Sequence, residues 1–439
     1  MNRKPAQLRR DTARNQAGLL ALAVTVTGVG HLLVDWASNP QLQPATTTRF
    51  IVFVLLVAGL HLITSRVLQH ANAILLPAIV WLIGIGMVMI HRIDVAQSGG
   101  LANAQLLWFA FACVAFALTV IFGRFLAALA HYPHLLLGAT LFLLLLPLFP
   151  PLSAGVINGA RLWIDVFGMR FQPSEAAKLT LVLFLAAYLA RHHARLSLRD
   201  APFALRQFGP VVLAAVAAVA VLVSLRDLGP AMLLLTLTLL MVFVASGKPT
   251  VLGVGAGVFV FGAWLAQLQF AHVRLRFDVW RDPFVDVHGA GYQLSQSLFA
   301  FATGGLTGTG LGFGRPQDLP FAATDAVFAV IGEELGLLGA TAVLSVLVLI
   351  TVRGIRIARH ANDHFTALVA FGITVVFAVQ TLVIIAGLTR LLPLTGLTLP
   401  FVSYGGSSLL INSIAIALLL VIDHDTRQVA LRDVVKARQ

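Results

Sequence analysis

Asp325 is the residue of this chain best placed to do chemistry. It closes a long polar, glycine-rich stretch, DVHGAGYQLSQSLFAFATGGLTGTGLGFGRPQDLPFAATD (residues 286–325), and stands where an apolar run begins. A carboxylate there has two readings. Thr324-Asp325 ahead of AVFAVIG can cap a helix. Partial burial at a membrane edge would instead raise its pKa, which suits a general base. The local sequence leaves both open. Glu333 and Glu334 lie on the helix that follows, about 12 Å further along at 1.5 Å per residue. Charges at that depth need a partner or a cavity. Pairing with a basic group on a neighbouring helix is the favoured reading.

Other constellations lie upstream and downstream. Gln172-Pro173-Ser174-Glu175-Ala176-Ala177-Lys178 places proline and glutamate in the first turn of a helix, where both are favoured. Glu175 and Lys178 share a face, so they pair with each other, or Lys178 offers positive charge to an anionic ligand. Arg226-Asp227 forms a tight turn between two apolar runs and is an ion-pair candidate; beside a cavity, Arg226 could contact phosphate. Residues 399–408, LPFVSYGGSS, combine small side chains with hydroxyls, a pattern for close helix packing or for a cavity lining. GTGLGFG (308–314) only imitates a phosphate loop. With no strand before it, a close-packed or flexible loop is the better reading.

The elements that must position these groups are membrane helices. Of 439 residues, 59% are hydrophobic and only 11% are charged, and the mean hydropathy is +0.91. That composition excludes an ordinary soluble domain. The net charge of +12 is explained by cytoplasmic loops rather than by nucleic acid. The single Cys113 makes no intrachain disulfide, and no Cys/His metal spacing is present. The basic start followed by an apolar run reads as a retained first span, not a signal peptide.

About twelve spans follow from the length needed to cross a bilayer. They fall near 16–36, 49–68, 72–91, 104–123, 134–151, 174–191, 209–225, 229–246, 250–269, 326–350, 365–388 and 406–423. The chain is thus an all-α polytopic membrane protein. Its expected divisions are a basic N-terminus (1–15), two added helices (16–70), a core (71–423) with a large loop at 270–325, and a tail (424–439). Lys and Arg set the orientation. With both termini in the cytoplasm, the inner segments hold Arg3, Lys4, Arg9, Arg10, Arg14, Arg191, Arg195, Arg199, Arg206, Lys248, Arg353, Arg356, Arg359, Arg427, Arg432, Lys436 and Arg438. The outer segments are then 152–173, the Arg226-Asp227 turn, 270–325 and 389–405. Arg161, Arg170, Arg274, Arg276, Arg281, Arg315 and Arg390 are basic residues on the wrong side, and an anionic ligand such as a pyrophosphate lipid is a reason for them. Val273–Phe284 mixes arginines with Phe277, Trp280 and Phe284, which fits a helix lying in the interface.

Together the strings NGARLWI with FQPSEAAK, RDLG, GAGYQLSQSLFAFATGGLTGTGLG, ATDAVFAVIGEELG and LTRLLPLTGLTLPFVSYGGSS resemble the SEDS family (shape, elongation, division and sporulation), the RodA/FtsW/SpoVE group. They come in family order, from about Gly84 to Asp423, and the spellings resemble actinobacterial members. The resemblance implies a ten-helix core, so the first two spans are an addition. It implies a peptidoglycan glycosyltransferase that polymerises lipid II on the outer face of the cytoplasmic membrane, working with a class B penicillin-binding protein, membrane lipids and no nucleic acid. The family's essential acid falls on Asp325, as general base for the acceptor 4-hydroxyl; undecaprenyl pyrophosphate leaves with inversion. The resemblance assigns Lys178, Glu175, Arg226, Arg390, Arg161, Gln293 and Ser403 to the substrate and its pyrophosphate, with a divalent cation (Mg or Mn) as a further means of neutralising it. Departures from the family are Phe321 for an acidic residue, Ala323 for histidine, and Ile384 for a frequent asparagine. The rival readings are a lipid II flippase and a non-catalytic scaffold; charges gathered toward the outer edge favour transfer chemistry.

Overall fold

The computed structural model describes residues 5–38, 43–97, 99–157, 159–166, 168–196 and 205–436. Arg3, Lys4, Arg199 and Arg438 of the inner segments, and Asn158 of NGARLWI, lie outside the described residues.

Apolar runs of about 20 residues have only one way to satisfy their backbone in lipid, which is to form helices. They do so as α1 (Pro5–Ser38), α2 (Pro44–Val67), α3 (Leu75–Gln97), α4 (Leu101–Phe122), a single turn α5 (Leu126–Leu129), α6 (Pro133–Leu145), α7 (Pro173–Leu196), α8 (Leu205–Ser224), α9 (Leu228–Ser246), α10 (Pro249–Gln269), α11 (Ala271–Arg281), α12 (Tyr292–Gly304), α13 (Val327–His360), α14 (His364–Leu388) and α15 (Gly406–Lys436). Among the described residues, ten helices are long and apolar enough to span a membrane, and two shorter apolar ones, Pro133–Leu148 and Gly209–Ser224, complete the expected twelve. Each expected span coincides with one of them. Helices α11 and α12 belong to the loop before α13. The segment 152–173 holds structure that hydropathy does not reveal. Strands β1 (Ile164–Val166) and β2 (Met169–Phe171) pair antiparallel. The Gly168 amide closes their turn on the Asp165 carboxylate at 2.8 Å.

The chain forms two compact units. The first comprises Met1–Ile121, Leu275–Arg353 and Gln380–Gln439. Its centre is α3, buried from Leu75 to Ile93 except at Trp81. Helix α1 packs along α3, where Gly84 leaves room for the Thr27 side chain. A buried polar cluster fixes that docking. His91 Nε2 donates to Asp35 at 2.7 Å, Thr46 donates to the same carboxylate oxygen, and Arg49 donates to His91 Nδ1 at 3.2 Å. Elsewhere in this unit, Asp423 on α15 accepts from the Asn72 amide at 2.6 Å and from Arg427 at 3.0 Å. The second unit comprises Phe122–Arg274 and Gly354–Val379. Here α6 and α7 pack closely, joined by a hydroxyl bond from Thr140 to Thr180 at 2.9 Å.

Helix α13 is broken. Gly336 has φ 66° and ψ −168°, so residues 327–335 form a half-helix ahead of the longer 337–360. At the break the loop after α12 exchanges backbone bonds with the helix. The amides of Leu337 and Leu338 turn to the carbonyls of Gly305 and Leu306. The carbonyls of Glu333 and Glu334, which those amides would otherwise satisfy, accept from Thr309 and Gly310 at 2.9 and 3.0 Å. Irregular backbone inside a span survives only when its groups are paired in this way. The GTGLGFG segment is therefore a close-packed wedge in the helix, the favoured reading of its sequence. Glycine is required at both faces of the contact: a Cβ on Gly308 would collide with the Glu334 carbonyl oxygen.

Candidate active site

Asp325 stands at the mouth of the half-helix in the first unit. It is not the cap. The amides of Ala329 and Val330 turn to the Ala326 carbonyl, so Ala326 holds the cap position and Asp325 precedes it. The turn carrying it is pinned from both sides. The amides of Thr324 and Ala326 both donate to the Phe321 carbonyl, and Phe321 adopts φ 55°, a left-handed conformation uncommon for a large side chain. From the LPFVSYGG loop, Ser403 Oγ donates to the Thr324 carbonyl at 2.5 Å and the Tyr404 amide donates to the Ala323 carbonyl at 2.7 Å. Ser403 in turn accepts from the Leu399 amide at 2.8 Å. Its hydroxyl is thus committed to holding two loops together.

Asp325 is half-buried, and burial pushes its carboxyl up to about 6, against the opposing pull of the Thr324 hydroxyl and the Arg276 guanidinium. A carboxylate so tuned is mostly ionised at neutral pH yet more basic than an ordinary aspartate, so it takes up a proton readily. Gly396 closes the other side. A Cβ there would come to 3.4 Å of the Asp325 carboxylate.

The wall beside Asp325 is built by α11 and the loop after α14. Arg276 donates to the Leu394 carbonyl at 2.7 Å, and Trp280 Nε1 to the Arg390 carbonyl at 3.1 Å. Arg390 answers by donating to the carbonyls of Trp280 and Arg281. Residues expected to anchor α11 in lipid headgroups are therefore occupied with protein carbonyls. Arg390 also ends α14 in a left-handed conformation, φ 61°, with the Leu391 amide returning to the Ala386 carbonyl. Its side chain and its backbone both hold the loop. Gln293, on the first turn of α12, keeps a buried amide nitrogen that has no partner among the described residues.

The second unit holds the remaining expected site residues. Glu175 and Lys178 pair at 2.7 Å, both buried. Gln172 donates to Asp227 at 3.4 Å. Arg226 is exposed and ends α8 with φ 63°. Arg161 is exposed beside the β-hairpin. The structure thus brings Glu175 to Lys178, as their spacing predicts, and leaves the two arginines open to the surface.

A family model described as "Cell cycle protein", that of FtsW, RodA and SpoVE, matches residues 73–428. The chain belongs to the FtsW/RodA/SpoVE family. A peptidoglycan glycosyltransferase RodA of Mycobacterium tuberculosis is 39% identical over 434 residues, covering 95% of this chain and 92% of that one. The corresponding protein of Mycobacterium leprae is 36% identical over 425 residues, 93% of this chain and 90% of that one. Among solved structures, the rod shape determining protein RodA of Thermus thermophilus is 25% identical with a TM-score of 0.57, over 81% of this chain and 97% of that one. A chain from a structure on polymerization and crosslinking by a peptidoglycan synthase complex is 25% identical with a TM-score of 0.62, over 82% of this chain and 99% of that one. The family match begins at residue 73, after α1 and α2.

Two departures from the family take a definite form. Phe321 is exposed and supplies the left-handed turn, and Ala323 is buried with its carbonyl on Tyr404. Backbone geometry at both positions holds Asp325. Sequence reasoning missed Arg276 as the cation facing Asp325; its only signal was a basic residue in an outer loop. It also missed Arg92, the partner of Glu334, which lies just beyond an expected span end.

Proposed function

We propose that this chain, a peptidoglycan glycosyltransferase, polymerises lipid II into glycan strands at the outer face of the cytoplasmic membrane, with Asp325 as general base. The observation that carries the reading is the setting of Asp325: pinned by two loops, half-buried, and raised to about 6. The carboxylate takes the proton of the acceptor 4-hydroxyl. That oxygen bonds to the donor anomeric carbon as the bond to undecaprenyl pyrophosphate breaks, and the electron pair leaves on the phosphate oxygen. An α-linked donor gives a β-linked strand, hence inversion. Arg276 supplies positive charge at the same place.

Ser403 and Arg390 act in this reading by holding the loops around Asp325. Lys178, Glu175, Arg226, Arg161 and Gln293 are assigned to the pyrophosphate lipid on sequence position and family resemblance. Among the described residues, no three His, Cys, Asp or Glu side chains come together, so they build no cation cage. A divalent cation, Mg or Mn, is proposed only as an ion entering with the pyrophosphate, and no step above runs through it. Both termini lie in the cytoplasm, and a class B penicillin-binding protein cross-links the product.

The test uses the purified chain with its penicillin-binding partner, whose own chemistry is confined to transpeptidation. Given lipid II and a divalent cation, wild type makes glycan chains and a folded Asp325→Asn variant makes none. Equal polymer from both removes Asp325 from the mechanism. No polymer from either, with lipid II crossing vesicle membranes, favours a flippase.

A further inference from the structure

The half-helix that follows Asp325 is held at its far end by a buried charge pair that the proposed chemistry does not use. Glu334 is fully buried, and its Oε1 accepts from Arg92 Nε at 2.8 Å. The same guanidinium donates through Nη2 to the Gly314 carbonyl at 2.8 Å. Glu334 Oε2 accepts from the Gly312 amide at 2.9 Å, and Glu333 Oε1 from the Arg315 amide at 3.2 Å. Arg92 thus binds helix and wedge loop together through one rigid fork.

This arrangement exceeds what stability asks for. Replacing a buried ion pair by apolar residues of similar size is often neutral or stabilising. The loop is also held by backbone bonds at the break and by close packing, with Gly304 against the Gly332 carbonyl and Phe301 edge-on to Phe328. What the pair adds is direction. The half-helix runs about 10 Å from Val327 to Glu334. It is clamped at one end by the Phe321 turn with Ser403 and Tyr404, and at the other by Arg92. Any slide or rotation of so short a segment moves Asp325 directly, and misplacement of a reacting group by about 1 Å can cost 100-fold in rate.

We propose that Arg92 and Glu334 are positioning residues for glycosyl transfer, fixing the half-helix that presents Asp325 to the acceptor hydroxyl. The inference rests on the function proposed above. The charged group facing Asp325 is Arg276 from α11; Arg315 and Asp318 of the loop face Glu333 instead.

The experiment compares lipid II polymerisation by wild type, Asp325→Asn, the double variant Arg92→Met/Glu334→Met, and Arg92→Lys. The double variant should keep a wild-type melting temperature within a few degrees. Its kcat should fall at least 10-fold with KM little changed, and the acid limb of its kcat profile should move down from about pH 6 as Asp325 loses its enclosed setting. Arg92→Lys keeps the charge but cannot serve both Glu334 and Gly314. It should show a smaller loss of the same kind, and it decides the matter if the double variant does not fold. Wild-type kcat and an unmoved limb in the double variant, with Asp325→Asn inactive, would overturn the positioning role alone. Full activity in Asp325→Asn would overturn the parent reading and this inference with it.

Discussion

A buried acid kept for chemistry works against the fold that holds it. Asp325 is raised to about 6 by burial, so the folded chain binds its proton more tightly than the unfolded one does. The folded state is therefore penalised above pH 6, where the group is ionised, and the penalty is relieved as pH falls from 6 toward the ordinary aspartate value. Asp325→Asn should raise stability at pH 7 by about 1 kcal/mol, the shift discounted for partial exposure. That gain should shrink below pH 6 and vanish below about pH 4. Thermal unfolding of both proteins across pH measures it. A variant less stable than wild type at pH 7 would mean the carboxylate is structural.

At the scale of elements, the sequence makes the helices legible and hides the joints. Twelve apolar runs become twelve apolar helices because a bilayer allows little else. The break at Gly336 was not readable. It lies within an apolar span where an isolated glycine is tolerated in a helix, and its cause is a loop some 30 residues upstream that supplies the missing bonds. Glu334 was legible as needing a cation, but nothing local names Arg92, which is 242 residues away. The β1–β2 hairpin escaped notice because three-residue strands leave no periodicity to read. Asp325 itself was visible from its boundary position, whereas its pinning by Ser403 and Tyr404 depends on contacts made across the fold. The break makes its own prediction. Gly336 has backbone angles that other residues adopt at a cost on the order of 1–3 kcal/mol, and a Cβ there would collide with the Gly308 amide. Gly336→Ala should lower both melting temperature and folded yield in detergent, while Gly18→Ala, with nothing within 4 Å, should not. Equal stability of the two would argue that α13 runs straight.

At the scale of the whole molecule, α1 and α2 precede the stretch that the family match covers. They are fastened to α3 by the Asp35–His91–Arg49 cluster. The proposed orientation places the loop 270–325 outside and the C-terminal tail inside. In a Cys113→Ala background, Val285→Cys, 83% exposed, should react with a membrane-impermeant maleimide in intact cells. Arg432→Cys should react only after permeabilisation. The reverse pattern would invert the topology and put Asp325 on the wrong face for polymerisation. The central claim is that Asp325, so placed, is the base of glycan synthesis, and the pH dependence of single-turnover lipid II polymerisation tests it most directly. The account predicts a wild-type rate that falls about tenfold per pH unit below roughly pH 6, and no polymer from Asp325→Asn at any pH. A wild-type rate level down to about pH 5, or the same limb in Asp325→Asn, would contradict it.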